Sequence, residues 1–190
     1  MKIEYKVLTK QIFKLNDYQL SPISESSIEK IRIWRNEQMV VLRQKEEICP
    51  EDQVKYYRNV ILPNFSDPRP KIILFELHHH KELIGYGGFV HISWEDKRAE
   101  ISFLLSSALS KEIKVYQAHF FNYLEMIKSI GFNELKFNKL FTETYDIRPH
   151  HISTLEKAGF KLEGILRNHV LIEGNYINSL MHGMLISSDV

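Results

Sequence analysis

Apolar and polar residues alternate in part through residues 3–23, where Ile3, Tyr5, Val7, Ile12, Phe13, Leu15, Tyr18, Leu20 and Ile23 stand among polar neighbours. That pattern predicts strands ending at Pro22. Ser26, followed three residues later by Glu29, reads as a capping box opening a helix through Ile28, Ile31 and Trp34. Cys49-Pro50-Glu51-Asp52 reads as a second helix start, with proline in the first turn and acids matched to the helix dipole. Val54, Tyr57 and Ile61 carry that helix to Pro63. Residues 66–70 read as loop. Strands are predicted over 72–77, 83–92 and 99–105, with polar turns at 78–82 and 94–97 between them. Such short connections make an antiparallel meander. Ile113, Tyr116, Phe120, Leu124, Ile127 and Ile130 form a helical stripe that Gly131 closes. A strand over 140–145, a short helix over 149–158 ending at Gly159, and a hairpin over 161–186 turning at Glu173-Gly174-Asn175 complete the chain. The order β-α-α-β-β-β-α-β-α-β-β predicts a mixed α+β sheet rather than a doubly wound one.

Composition narrows the class. A chain of 190 residues buries about 70% of its surface on folding, which suits one domain over 1–190, with 1–17 as an N-terminal strand extension. Hydrophobic residues at 44% and charged residues at 26% are ordinary globular usage and argue against disorder. Twenty-five basic against 24 acidic side chains give a net charge of +1, which argues against a strongly basic nucleic-acid binder. A single cysteine, Cys49, excludes a disulfide framework and a thiolate metal cluster. With no apolar leader and no run approaching 18 apolar residues, a cytoplasmic protein off the membrane is expected.

The element order resembles that of the GNAT acetyltransferases. Leu155-Glu156-Lys157-Ala158-Gly159-Phe160, Glu163-Gly164-Ile165-Leu166-Arg167 and Ile172-Glu173-Gly174-Asn175-Tyr176 resemble the L-E-K-x-G-F, E-G-x-L-R and I-x-G-x-Y run of the RimJ/RimL-like branch. Ile84-Gly85, Ala99-Glu100-Ile101-Ser102 and Trp34-Arg35-Asn36 are similar to further segments of it. Trp34-Arg35-Asn36 is also similar to acetyltransferases of nucleotide-linked amino sugars. The match runs over roughly residues 18–187. The resemblance implies a mostly antiparallel sheet with a V-shaped splay between the strands at 99–105 and 140–145. It also implies direct transfer of acetyl from acetyl-CoA to a primary amine, without a metal. The amine is expected on a small molecule, with an amino sugar linked to a nucleotide as one form and a protein N-terminus as the alternative.

Two departures bear on the site. The family's pyrophosphate loop, (Q/R)-x-x-G-x-(G/A), puts its glycines on Ile113 and Val115 here. Either CoA binds a reshaped loop, with the helix start, Lys111 and Lys114 supplying positive field, or the chain is a non-catalytic relative. The branch's N-x-x-S falls on Arg148 and His151, and the tyrosine used as an acid by many relatives falls on Leu155. Arg148 is then the candidate for a CoA phosphate, with His150 beside it. His151, ahead of His150, is the candidate to protonate the leaving thiolate. A histidine pair that merely opens a helix is the structural alternative.

The resemblance also places backbone amides around Leu104 and Leu105 against the pantetheine and thioester. Glu100 is the first candidate base, since a carboxylate among apolar residues is tuned by burial. Its alternative is an edge carboxylate pairing with Arg98 or Lys97. His91, near Trp94 across a turn, is the second base, or else a histidine packed on that tryptophan. Tyr145 is a donor to the thiolate or a packing residue. Trp34, Arg35, Asn36 and Arg43 are the expected substrate contacts, with Trp94 and Glu95 as an opposite wall; against this, Trp34 is core and the arginines solvated. His78-His79-His80 reads as a polar turn rather than a metal site, because consecutive strand residues face opposite ways. Cys49 lacks a histidine partner for nucleophilic work, and Lys45-Glu46-Glu47 reads as solvated loop. The final hairpin is the candidate surface for a homodimer.

Overall fold

The computed structural model describes residues 4–186. Strands β1 (Phe13–Leu15) and β2 (Tyr18–Pro22) lead into helices α1 (Ile28–Glu37), α2 (Pro50–Tyr56) and α3 (Leu62–Ser66). The meander β3 (Ile73–His79), β4 (Glu82–Ser93) and β5 (Arg98–Leu105) follows. Then come α4 (Ser107–Ser110), α5 (Ile113–Ser129), β6 (Lys139–Tyr145), α6 (Pro149–Lys157), β7 (Lys161–Ile172) and β8 (Asn175–Leu185). One eight-stranded sheet results, in the order β1-β2-β3-β4-β5-β6-β8-β7, antiparallel except where β5 meets β6. The expected mixed α+β architecture is present.

Strand alternation packs the core against both faces of this sheet. Phe103 of β5 points toward α5, where its ring lies 4.6 Å from Phe120 and 4.7 Å from Tyr123. Glu100, Ser102 and Leu104 take the opposite face, under α1 and α2. The parallel pairing of β5 with β6 covers only Arg98–Glu100 against Lys139–Phe141. Past that point the two strands separate, and this is the V.

Local differences from the expected elements have physical causes. No capping box forms: Ser27 is the N-cap and makes no side-chain cap bond, Ser26 bonds Ser24 at 2.8 Å, and Glu29 pairs with Arg32 at 2.7 Å. Among the described residues 4–12 there is no strand. Tyr5 anchors that segment instead, its hydroxyl accepting from Leu74 N at 2.8 Å; Ile3 lies outside the described residues. His78 and His79 extend β3, so the turn shrinks to His80 and Lys81, both at positive φ (49° and 70°), the twist a two-residue hairpin prefers. The second helix runs through a π-helical segment (Tyr57–Ile61) and on past Pro63 to Ser66. Gly131 does not end α5 but sits inside a second π segment (Ile130–Glu134), where a Cβ would press on Leu140 and Phe89. Among the described residues no helix is long and apolar enough to cross a membrane, and no group of histidine, cysteine and carboxylate side chains could hold a metal.

Candidate active site

The V opens into a cleft of about 730 Å³ lined by the diverging halves of β5 and β6, the segment after α1, and the start of α6. Two side-chain clusters face it.

The first is ionic. Arg43 reaches in from the segment after α1 and grips Glu100 with both terminal nitrogens, at 2.5 Å and 3.3 Å. The same guanidinium lies 3.0 Å from Glu143 of β6, so it bridges the two arms of the V. Glu100 is 8% exposed. Burial works against the charge on Arg43, but its hydrogen bond to Glu100 and the charges of Glu100 and Glu143 hold it protonated. A bulge in β4 between Val90 and Ser93 turns His91 to φ 48° and out toward solvent. Its Nε2 lies 3.5 Å from Arg43 Nη1 and 3.8 Å from Glu100. Glu100 therefore pairs with Arg43, not with Arg98 or Lys97, and Arg98 instead meets Asp96 at 3.4 Å.

The second cluster is a relay of hydrogen bonds. Arg148 Nη2 donates to the Tyr116 hydroxyl at 2.7 Å, and that hydroxyl lies 2.6 Å from His151 Nδ1. With no other acceptor against the Tyr116 hydroxyl among the described residues, its proton is assigned to Nδ1. The His151 proton then sits on Nε2. The imidazole stacks on Phe120 at 4.1 Å, and burial, then the charge of Arg148, hold its pKa well below the ordinary value. It is neutral near pH 7. A neutral ring that donates from Nε2 is a hydrogen-bond donor rather than a proton reservoir, which corrects the expectation that His151 protonates a thiolate. Burial pushes the Tyr116 hydroxyl up to about 12, so it keeps its proton. Tyr145, 7% exposed at the end of β6, also lines the cleft, and burial raises its pKa.

Several expected contacts lie elsewhere. Trp34 is core, 6% exposed, with Lys30 over its ring, and does not line the cleft. Asn36 binds the backbone of Ile48 from both amide atoms, at 2.9 Å and 3.0 Å, and so builds the wall of the fold. Trp94 donates to Pro70 O at 2.9 Å and packs on Phe137 rather than on His91. Arg35 does line the cleft, held by Tyr86 at 2.7 Å and Gln44 at 3.1 Å. Leu104 and Leu105 bury their side chains, and the Leu105 carbonyl accepts from Gln38 at 2.9 Å. Lys111, Ile113, Lys114 and Val115 are exposed at the start of α5, outside the cleft. His150 stands edge-on to Tyr116 at 5.0 Å.

Sequence reasoning missed Tyr116, Glu143, Ser102 and Thr142. Tyr116 was hidden in an apolar stripe. The other three had a usable signal: they are polar residues inside otherwise buried strands. Ser102 and Thr142 are among the residues lining the cleft, and their hydroxyl oxygens are buried without a hydrogen-bond partner. Such groups sit unpaired at a cost unless something else bonds them.

A family model described as "Acetyltransferase (GNAT) domain" matches residues 20–181. A sequence search of curated proteins finds no match. Among solved structures, spermidine N-acetyltransferase from Vibrio cholerae in complex with CoA and spermine is similar in fold, with a TM-score of 0.76 at 17% identity over 90% of this chain and 96% of that one. A dodecameric form of the same Vibrio cholerae enzyme gives 0.72 at 18% identity, over 90% and 95%. Ribosomal-protein-S5-alanine acetyltransferase from Vibrio fischeri gives 0.71 at 14% identity, over 94% and 98%.

Proposed function

The chain belongs to the GNAT acetyltransferases, and on that premise we propose that it transfers acetyl from acetyl-CoA directly to the primary amine of a small molecule. The observation that carries this reading is the splayed pair β5/β6 with an ionic cluster on one side and a neutral donor relay on the other. The amine nitrogen attacks the thioester carbon; the N–C bond forms and the C–S bond breaks, and an amine that arrives as an ammonium loses two protons, one to water before attack and one that ends on the thiolate. Glu100, held in place by Arg43, accepts the hydrogen bond of the incoming amine. His91, exposed beside it, passes the released proton to water. His151 Nε2–H stabilises the developing oxyanion. Tyr145, protonated at neutral pH, donates to the thiolate. Lys111, Lys114 and the α5 N-terminus give the phosphates a positive field without the family's glycines, with Arg148 a further fixed charge.

Of the two anchors expected for a nucleotide-linked amino sugar, Arg43 is taken up by Glu100 and Glu143, while Arg35 is held by the neutral Tyr86 and Gln44. A protein N-terminus remains the alternative acceptor, in line with the motifs shared with the RimJ/RimL-like branch. The β7–β8 hairpin at the sheet edge exposes Leu171 and Tyr176, at 55% and 68%, and we assign it to self-association. Calorimetric titration with acetyl-CoA tests the whole reading. Saturable binding with thiol release on adding an amine is expected. No binding at millimolar acetyl-CoA sinks it and leaves a non-catalytic module, the outcome that Ile113 and Val115 in the glycine positions would favour.

A further inference from the structure

Tyr123 of α5 takes no part in the chemistry described so far. It is fully buried, and burial raises its pKa well above the ordinary tyrosine value, so its hydroxyl keeps its proton and acts as a donor. That proton goes to the backbone of the splayed strand. The hydroxyl donates to the Ser102 carbonyl of β5 at 2.6 Å, while the ring packs 4.7 Å from that of Phe103, the next residue. Gly87 of β4, opposite Phe103 in register, leaves room for this contact. A Cβ there would run into both the Ser102 carbonyl and the Tyr123 hydroxyl.

The register fixes which way this part of the backbone faces. Ser106 N donates to Ile84 O at 2.8 Å, and the β4–β5 pairing runs unshifted from there to Val90. In an antiparallel ladder, alternate residues turn their backbone groups toward the partner strand. Ser102, Leu104 and Ser106 therefore face β4, and Phe103 and Leu105 face the other way, toward β6. The Leu105 carbonyl fits this alternation, since it accepts from Gln38 at 2.9 Å. The parallel pairing with β6 stops at Glu100 and Phe141. Ile101 N–H serves that last pair, so Phe103 N–H is the first on this edge to point into the open V. A trans peptide holds its C=O and N–H on opposite sides. The Ser102 carbonyl leans toward α5, where Tyr123 holds it. Phe103 N–H therefore leans toward the other face, the side of Glu100 and Arg43.

Resting on the transferase reading above, we propose that Tyr123 is a positioning residue for acetyl transfer: its hydroxyl sets the tilt of the Ser102–Phe103 peptide and so aims Phe103 N–H at the thioester oxygen, as a second donor with His151. No bond to Tyr123 forms or breaks in the reaction. Gly87 is the other half of the device, because a residue without a Cβ is what admits the hydroxyl between the strands.

The test uses the full chain and needs no acceptor. Acetyl-CoA labelled with carbon-13 at the acetyl carbonyl is titrated into wild type and Tyr123→Phe, with affinity read by calorimetry and the carbonyl stretch by infrared difference spectroscopy. In the wild type the stretch should move to lower frequency on binding, as hydrogen bonds polarise the carbonyl. Tyr123→Phe should lose a large part of that movement while its affinity falls by about tenfold at most, the worth of one hydrogen bond. In the wild type, the Phe103 amide proton should also move downfield with acetyl-CoA and not with CoA, which lacks the carbonyl. Should Tyr123→Phe fail to fold, Gly87→Ala displaces the same hydroxyl and carries the infrared test, and the Phe103 amide is read without any variant. A Phe103 amide that does not respond to the acetyl group overturns the proposal. So does a variant that keeps the full carbonyl shift. Either result, with acetyl-CoA bound, leaves the transferase reading standing. A wild type that binds no acetyl-CoA refutes that reading, and the role of Tyr123 falls with it.

Discussion

Replacing Tyr116 with Phe removes one oxygen and so cuts the relay twice. Arg148 Nη2 loses its acceptor at 2.7 Å and His151 Nδ1 loses its donor at 2.6 Å. Tyr116 is 1% exposed and His151 6%, so no bulk water reaches the gap, while Arg148 is half-buried and can be rehydrated. A neutral bond is worth about 1 kcal/mol and one to a charged group about 1.5–3 kcal/mol. Taking the low end for the rehydrated arginine, the variant should be less stable by about 2–3 kcal/mol. For a chain of this size that lowers Tm by roughly 4–12 °C. The chemical consequence is separate. Without the Tyr116 proton nothing selects the Nε2–H tautomer of His151, and a misplaced donor costs up to about 10²-fold in kcat. Urea titration gives the first quantity, thiol release the second, and nitrogen NMR of the imidazole reads the tautomer directly. A variant that loses stability but keeps wild-type kcat and an Nε2–H imidazole would refute the relay and reduce Tyr116 to a packing residue.

Three further outcomes follow from the same geometry. Glu100→Gln should lower kcat by about 10²-fold or more and leave acetyl-CoA affinity near normal; an unaffected rate moves the base to His91. Folding lowers the pKa of His119, His151 and His182 below the ordinary 6.5, chiefly by burial. Below that pH the unfolded chain binds more protons than the folded one. Stability should be level above it and fall as pH drops through 6.5, so a Tm that rises between pH 7 and 5.5 contradicts the burial of these rings. At Gly88, with φ 153°, a Cβ would run into the carbonyl of Ile73 on the next strand. Gly88→Ala should cost about 2–4 kcal/mol in urea denaturation or yield no soluble protein, and a wild-type midpoint would show the close approach to be false.

What could be read in advance divides by the range of the force involved. The meander, the α5 stripe and the final hairpin are set by periodicity and turn residues, and all lie within a few positions of where the pattern puts them. The capping box failed because Ser26 and Glu29 each had a nearer partner in Ser24 and Arg32, which spacing alone does not rank. The pairing of Glu100 is the long-range version of the same problem. Its partner is 57 positions away, while Arg98 and Lys97 are beside it in the chain. A strand residue points its side chain away from both flanking backbones, so proximity in sequence predicts little about ion pairing across a sheet.

Arg43 follows from that logic and carries a consequence for the site. It touches both arms of the V, through Glu100 on β5 and Glu143 on β6. Two carboxylates facing each other across a cleft repel, and one guanidinium between them offsets that repulsion while its side chain stays 45% exposed. An approaching ammonium offers Glu100 the same charge that Arg43 does. It can take one oxygen of the carboxylate while Arg43 keeps its contact with Glu143. On the proposed mechanism the ion pair is a placeholder for the acceptor rather than a rival to it. It keeps the Glu100 side chain in position until the amine arrives, and a charged amine is the ligand able to share that carboxylate without leaving a buried charge unpaired.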